Sequence, residues 1–142
     1  MSDLGIRQVD SFINEDQRWI APGGLSAFPD NDSITLDMKT AGGFVRATFP
    51  NHVIPSGVCL GKITATGLYG PYDDAANDGR QTAVGFLAVT VKWDVNLPVS
   101  GNSALLPVAL YWHGEIIEAF LPTNHGLDAA GKVDLAAKFR II

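Results

Sequence analysis

The chain has 142 residues, of which 46% are hydrophobic, and a formal net charge of −5 at pH 7. This length and composition are typical of one domain with a packed core, and they exclude global disorder. An acidic chain without a cluster of Lys or Arg has little affinity for a phosphate backbone, so we expect no nucleic-acid partner.

Targeting signals are missing from the sequence as it stands. The opening residues, MSDLGIRQVD, have neither the cationic start nor the apolar run of a secretory signal peptide. No stretch has the length needed to cross a bilayer. We therefore expect synthesis in the cytoplasm and no membrane partner.

The first twenty residues are polar, with apolar residues in the isolated pairs Phe12-Ile13 and Trp19-Ile20. No helical or strand period runs through them. One interpretation is a disordered tail, which is common at chain termini. The other is an arm that becomes ordered against a partner, because a tail seldom carries exposed Phe, Ile and Trp unless something covers them.

A turn-rich segment, APGGLSAFPDND, follows this polar stretch. Pro22 fixes its own φ and biases Ala21 towards an extended conformation. Gly23 and Gly24 permit a chain reversal that is costly for residues with side chains. These four residues are therefore predicted to form a hinge between an arm, residues 1–20, and a single β-rich domain, residues 21–142.

Short strands dominate the predicted elements of this domain, because fifteen glycines and eight prolines punctuate the chain. The segment 82–93 is almost entirely apolar, which predicts a central strand covered on both faces. Gly61 predicts a bulge or a close backbone approach, and Pro107 predicts an edge or a bulge. Strands are predicted at residues 33–38, 44–49, 58–66, 82–93, 139–142 and within 104–122 on either side of a turn at His113-Gly114.

One helix is predicted, at about residues 127–137, where Leu127, Ala130 and Ala137 recur at helical spacing. Gly131 weakens this helix by about 1 kcal/mol relative to alanine. The segment 67–81 is predicted to be a long loop, and loops of that length are commonly functional or mobile.

Candidate chemical groups are sparse. Cys59, the single cysteine, lies between apolar neighbours and is predicted to be a small buried hydrophobe rather than a reactive thiol. The loop residues Asp73, Asp74 and Asp78 leave two interpretations open, an irregular cation site or a solvated loop with Asx turns. An EF-hand is excluded because Ala76 and Gly85 stand where ligands are needed.

The three histidines do not form a metal-binding or catalytic motif with each other or with a carboxylate. Ser26 lacks the GxSxG context of a hydrolase nucleophile. Glu115 and Glu118 are three residues apart in a predicted strand and therefore point to opposite faces. We predict no catalytic residue, no cofactor and no metal, although a trimeric nucleotide hydrolase using the loop carboxylates is a rival hypothesis.

Several motifs together resemble the head decoration protein D family of tailed bacteriophages, and most closely its actinobacteriophage-type members. The shorter ones are APGGLSA at 21–27, SITLD at 33–37 and TAVGFLA at 82–88. The longer ones are IPSGVCLGKITATGLYGPYDDAANDGRQTAVGFL at 54–87 and HGEIIEAFLPTNHGLDAAGKVDLAAKFRII at 113–142. The resemblance covers about residues 20–142, and residues 1–19 match only as a polar extension.

The resemblance implies a mainly β body with a β-clip-like core, one short C-terminal helix and an extended N-terminal arm. It also implies a homotrimer that binds the major capsid protein on the outside of the expanded head, at three-fold and quasi-three-fold positions. There it would stabilise the shell against the pressure of packaged DNA. In such proteins the N-terminal segment is loose in the free form and becomes ordered on the capsid.

These implications give the N-terminal residues a function. We expect Phe12, Ile13, Trp19 and Ile20 to anchor the arm on a neighbouring capsid subunit, with the hinge at its base. An extended segment of this kind can add a strand to an open sheet edge. A rival hypothesis is a glycan- or receptor-binding surface module, in which Tyr69, Tyr72 and Trp112 would stack on sugars. The apolar segments 82–91 and 104–112 suit either a trimer interface or the core of one chain.

Overall fold

The computed structural model describes residues 16–21, 31–38, 43–44, 53–92 and 105–142. Within these ranges the chain is mainly β, with one short α-helix towards its C-terminal end, as the sequence predicts. No helix in these ranges is long and apolar enough to span a membrane. The strands are β1 (Asn31–Asp37), β2 (Val53–Ile54), β3 (Cys59–Lys62), β4 (Tyr69–Pro71), β5 (Ala83–Leu87), β6 (Val91–Lys92), β7 (Leu105–Tyr111), β8 (Gly114–Ile116) and β9 (Phe139–Ile141), and the helices are a 3-10 turn (Glu118–Phe120) and α1 (Ala129–Leu135).

Five strands form a closed barrel in the order β1-β4-β3-β5-β7. β7 closes it by pairing antiparallel with β1 over the whole of both strands, from Asn31 opposite Tyr111 onwards. Alternate residues of a strand point to the same side, so Ile34 and Leu36 of β1 are both buried. They belong to the first core cluster, with Met38, Phe44, Ile54, Val58, Leu60, Leu87, Val91 and Leu110.

Both features predicted from Gly61, a bulge and a close backbone approach, are present in the structure. The register between β3 and β5 shifts between Leu60 and Gly61, which is a bulge. A Cβ atom at Gly61 would lie 2.7 Å from the Cα of Arg80, so the backbone approaches closely as well. The absence of a side chain here allows the segment around Arg80 to pack directly on the barrel.

The long apolar segment 82–93 is central, as predicted, but it is not one strand. β5 lies between β3 and β7 in the barrel, whereas β6 pairs with β2 in a separate two-stranded sheet. The strand breaks at Ala88, whose N–H donates to the carbonyl of Ala109 at 3.0 Å. Pro107 of β7 pairs with Thr35 of β1 and lies beyond the part of β7 that pairs with β5, which confirms its edge position.

Strands do flank the turn at His113, but they do not pair with each other. β8 pairs in parallel with β9, with Gly114 opposite Phe139. Parallel neighbours require a crossover connection, and the 3-10 turn and α1 supply it. The predicted strand after the turn therefore stops at Ile116, and residues 118–120 are helical instead.

The segment 67–81 is not a plain loop, because β4 lies within it and forms part of the barrel. The rest folds back on itself: the N–H of Asp73 donates to the carbonyl of Arg80 at 3.1 Å. The N–H of Thr64 also donates to the carbonyl of Asp78 at 2.9 Å. A three-residue strand that contains a glycine and a proline has no sequence period, which is why the prediction missed it.

The predicted helix is confirmed, although it is shorter than 127–137. Asp128 caps its start, since the carboxylate accepts hydrogen bonds from the N–H of Gly131 and from the hydroxyl of Tyr72, both at 2.8 Å. Gly131 weakens the helix but allows this packing, because a Cβ there would lie 3.1 Å from the Tyr72 ring. The final strand, β9, follows as predicted, whereas the strand predicted at 44–49 lies almost wholly outside the described residues.

Candidate functional site

Residues 16–21 lie against the body of the same chain, and Trp19 is the residue that holds them there. Its side chain is fully buried. The indole ring packs on Phe86, with ring centres 5.6 Å apart, and on the edge of Tyr111, at 5.7 Å. These rings belong to the second core cluster, which also contains Cys59, Tyr72, Ala83, Ala88, Ile116, Leu127, Leu135 and Phe139.

Side-chain hydrogen bonds fix the segment at its start. Trp19 Nε1 donates to Ser56 Oγ at 3.2 Å, and Ser56 Oγ donates to the carbonyl of Asp16 at 2.7 Å. Gln17 Nε2 donates to the carbonyl of Ala88 at 2.7 Å. A buried indole N–H requires a partner, and the turn after β2 supplies it through Ser56.

The end of the segment extends the small sheet formed by β8 and β9. Ile20 forms an antiparallel bridge with Ile116. The N–H of Ile117 donates to the carbonyl of Trp19 at 2.7 Å, and the N–H of Ala21 donates to the carbonyl of Glu115 at 3.1 Å. The segment is therefore paired through its backbone as well as buried through Trp19.

A charged pair lies at the start of the described N-terminal segment. Arg18 donates to the Asp16 carboxylate from Nε at 3.0 Å and from a terminal nitrogen at 2.9 Å. These hydrogen bonds lower the pKa of Asp16 to about 2. The Arg18 guanidinium also lies over the ring of Phe120, 5.2 Å from its centre, and Phe120 is 44% exposed.

The structure thus places three of the predicted arm and hinge residues, Trp19, Ile20 and Ala21, in the body. The division of the chain into an arm, residues 1–20, and a domain, residues 21–142, stays a prediction, although residues 16–21 pack on the body. A side chain that is fully buried in its own chain is not accessible to a partner in this conformation, so Trp19 has an internal role here. The remaining predicted residues, Phe12, Ile13, Pro22, Gly23 and Gly24, lie outside the described residues.

Sequence reasoning did not find the partners of Trp19. The residues PSG at 55–57 predict a turn, and a turn is present at Ser56-Gly57. Nothing in that short pattern indicates that the Ser56 hydroxyl serves a Trp residue 37 positions earlier. The pairing could be inferred only if Ser56 were known to be buried near Trp19, and the sequence does not show which residues are buried.

The carboxylates of the segment 67–81 do not gather into a metal centre. Asp73 Oδ1 accepts from the N–H of Ala75 at 3.0 Å, and Asp78 Oδ1 accepts from the N–H of Arg80 at 3.1 Å. These are the Asx turns expected of a solvated loop. Within the described ranges no group of three or more His, Cys, Asp or Glu side chains is placed to hold a metal ion.

The aromatic residues considered for glycan binding do not share an exposed surface. Tyr72 is buried, and its hydroxyl donates to Asp128. Tyr69 is half-buried and packs against the first core cluster. Trp112, which is 38% exposed, is the one member of the three that remains accessible. The expectation of an exposed Tyr72 is therefore wrong, because the side chain packs on α1.

A groove of about 460 Å³ lies between the end of β4 and the residues before α1. Two of its polar side chains are engaged within the chain: Arg80 donates to the Asp78 carboxylate and to the carbonyl of Pro71, and His125 Nδ1 accepts from the N–H of Leu127 at 2.8 Å. Nearby, Cys59 is buried as predicted, and burial raises its pKa to about 12. These groups serve folding, and they do not form a nucleophile–base arrangement.

The described structure is thus that of a β-rich structural module with an N-terminal segment fastened to a barrel. A family model described as bacteriophage lambda head decoration protein D matches residues 40–138, more than two thirds of the chain. The chain therefore belongs to the head decoration protein D family, whose members are structural proteins of the phage capsid. No curated protein matches the chain significantly.

Proposed function

We propose that this protein binds as a homotrimer to the outer surface of an expanded phage head, at three-fold and quasi-three-fold positions, and stabilises the shell against packaged DNA. The family match over residues 40–138 carries this proposal. The partners are the major capsid protein and further copies of this chain. The net charge of −5 suits an outer-surface protein that has no need to contact DNA.

The construction of the body supports a function by adhesion. In a closed barrel, every strand is paired on both sides over part of its length, which leaves little open edge for unwanted association. The Arg80 and His125 side chains in the 460 Å³ groove already have partners within the chain. Such a body can present a fixed surface to a shell without making or breaking a covalent bond.

We assign the capsid-contacting arm to the residues that precede Asp16, including Phe12 and Ile13. The hydrogen bonds from Trp19, Ser56 and Gln17 fix the base of this arm on the body. Ordering an arm costs conformational entropy, so a single arm binds weakly. Three arms on one trimer compensate, because the first attachment raises the effective concentration of the others.

Binding to purified shells tests the proposal. Heads that lack this protein are prepared in the expanded and the unexpanded form, mixed with the purified chain, and sedimented. We expect saturable binding to expanded heads and greatly reduced binding to unexpanded heads. Absence of binding to expanded heads would overturn the proposed function.

A variant with Phe12→Ser and Ile13→Ser tests the arm in the same assay. It is expected to fold normally and to bind expanded heads about tenfold more weakly, because two apolar side chains no longer become buried. The matched control is Val133→Ser, which changes a side chain that is 75% exposed on α1. Equal binding by the arm variant and the control would refute the role of the arm.

A further inference from the structure

The sequence contains one Asp-Gly dipeptide, Asp78-Gly79, and no Asn-Gly dipeptide. An Asp-Gly dipeptide is the place at which an aspartate most readily isomerises to isoaspartate, because glycine has no Cβ to crowd its nitrogen or to restrict its backbone angles. Asp78 and Gly79 lie in the folded-back part of the segment 67–81, which the proposed function does not use.

The isomerisation exchanges one water molecule for another. The Gly79 nitrogen bonds to Cγ of Asp78 while the carbon–hydroxyl bond of the neutral carboxylic acid breaks, and the N–H proton leaves with the hydroxyl as water. The product is a cyclic succinimide. A second water then opens the ring, and opening at the main-chain carbonyl carbon leaves isoaspartate, which has one more CH₂ group in the backbone.

The peptide group between Asp78 and Gly79 is held on both sides. Its carbonyl accepts a hydrogen bond from the N–H of Thr64 at 2.9 Å, and its N–H donates to Oε1 of Gln81 at 2.8 Å. Ring closure removes the N–H proton and rotates the peptide group towards the Asp78 side chain. Both hydrogen bonds must therefore open before the nitrogen bonds to Cγ.

The carboxylate of Asp78 is held by Arg80. Oδ1 accepts from the backbone N–H of Arg80 at 3.1 Å, and Oδ2 accepts from its Nε at 3.0 Å. The Arg80 side chain is only 12% exposed and also donates to the carbonyl of Pro71 at 3.2 Å. Hydrogen bonds from the backbone N–H and then from the guanidinium lower the pKa of Asp78, against the opposing effect of burial, so less of the reactive neutral acid is present.

The turn offers little space for the product. Gly79 has a φ of +116°, and a Cβ atom there would overlap the carbonyl oxygen of Lys62 and lie 2.5 Å from Oγ1 of Thr64. An additional CH₂ group in the backbone at residue 78 lengthens the chain where it packs on the end of β3. Isoaspartate at this position is therefore incompatible with the packing of the segment on the barrel.

We infer that Gln81 and Arg80 prevent isomerisation at Asp78-Gly79 in the folded protein, so that residue 78 is a modification site that reacts only when the segment opens. This inference goes beyond the proposed function and does not depend on it. Each hydrogen bond that must open first slows ring closure by about two- to tenfold.

Incubation of the full-length chain in oxygen-labelled water measures the reaction, because each passage through the succinimide inserts one labelled oxygen at residue 78. Isoaspartate in the same peptide is quantified, after proteolysis in ordinary water, by enzymatic methylation of its α-carboxyl group. We expect the folded protein to react at least about tenfold more slowly than the same chain unfolded in guanidinium chloride, since several hydrogen bonds must open. Equal rates in the folded and the unfolded chain would overturn the inference.

Gln81→Ala removes the acceptor for the Gly79 N–H. Because Gln81 is exposed, the change leaves the core intact. We expect the folded variant to react about two- to tenfold faster than the wild type. Gln81→Glu is the matched control, since its carboxylate oxygen accepts the same hydrogen bond, and it is expected to react like the wild type. Equal rates for the two variants would contradict the role of Gln81.

Asp32-Ser33 shows whether a variant has loosened as a whole. This dipeptide lies in β1, which pairs with β7, and Asp-Ser also forms succinimides, more slowly than Asp-Gly. Its labelling in folded Gln81→Ala is expected to equal its labelling in the folded wild type. An equal rise at both dipeptides would assign the protection to the fold as a whole and overturn the local role given to Gln81.

Discussion

Trp19 is separated by 37 residues from Ser56 and by more than sixty from Phe86, yet it donates a hydrogen bond to Ser56 and packs on Phe86 in the second core cluster. Its burial fastens the N-terminal segment to the barrel and so sets the position from which residues 1–15 start. The ring supplies the packing, and its N–H fixes the orientation through Ser56. A change at this one residue therefore tests whether the segment belongs to the body.

Trp19→Ala is expected to lower the free energy of unfolding by about 3–5 kcal/mol, the usual cost of truncating a large buried aromatic side chain. Trp112→Ala is the matched control, since Trp112 is 38% exposed, and a loss of about 1 kcal/mol or less is expected. Denaturant unfolding at one protein concentration measures both. Similar losses for the two variants would show that Trp19 is not part of the core.

His125 links stability to pH. Its Nδ1 accepts a hydrogen bond from the N–H of Leu127 at 2.8 Å, which requires the neutral ring. Burial lowers the pKa of His125 below its ordinary value of 6.5; the Lys132 charge acts in the same direction, and Glu118 opposes it. A histidine whose pKa is lowered by folding stabilises the folded state above 6.5, and this contribution is lost as the pH falls towards the lower folded pKa.

His125→Asn keeps an acceptor for the Leu127 N–H but does not titrate between pH 5 and 7. The wild type is expected to lose stability as the pH falls from about 6.5 to about 5. The variant is expected to show a smaller loss over that interval. Thermal unfolding at half-unit steps of pH measures the difference, and parallel curves for the two proteins would contradict the role given to His125.

At the scale of elements, the bulge at Gly61 connects the barrel with the folded-back segment around Arg80. Gly61→Ala places a methyl group 2.7 Å from a backbone atom that cannot rotate away. We expect a loss of about 1–3 kcal/mol in the free energy of unfolding, typical of overpacking. Lys62→Ala, at the exposed next residue, is expected to lose about 0.5 kcal/mol or less. If Gly61→Ala lowered the free energy of unfolding no more than Lys62→Ala does, the segment around Arg80 would not pack on Gly61 as described.

Elements with a strong local signal could be predicted from the sequence. The alternation of SITLDM and the apolar run AVGFL identify β1 and β5, and the spacing of Leu127 and Ala130 indicates α1. Asp128, the residue that caps α1, was not identified, although an Asp just before a helical pattern is a usual start signal. Elements whose strand partners lie far away in the sequence could not be predicted in this way.

β4 and β8 show why distant pairing limits such prediction. β4 has three residues, and its place in the barrel depends on β1 and β3 rather than on its own pattern. β8 follows β7 after a short turn, which favours a hairpin, yet it pairs with β9 more than twenty residues later. The same limit applies to Trp19, since the sequence predicts that a capsid subunit covers its side chain, whereas in the structure residues of its own chain bury it.

At the scale of the whole molecule, residues 16–21 pack with the barrel and the small β8–β9 sheet in one body. The two edges of the small sheet differ in whether described residues pair with them. Residues 19–21 close one edge of the small sheet, and the outer edge of β9 stays open within the described ranges. Under the proposed function, this body is placed repeatedly on the capsid lattice and acts by adhesion. Membership in the head decoration protein D family is consistent with that use.

Cryo-electron microscopy of expanded heads, prepared with and without the purified protein, tests the central claim most directly. We predict added density on the outer surface at the three-fold and quasi-three-fold positions, with three copies of the barrel around each axis and an arm from each copy reaching the shell. Maps that are identical with and without the protein, or added density at other positions, would contradict the account.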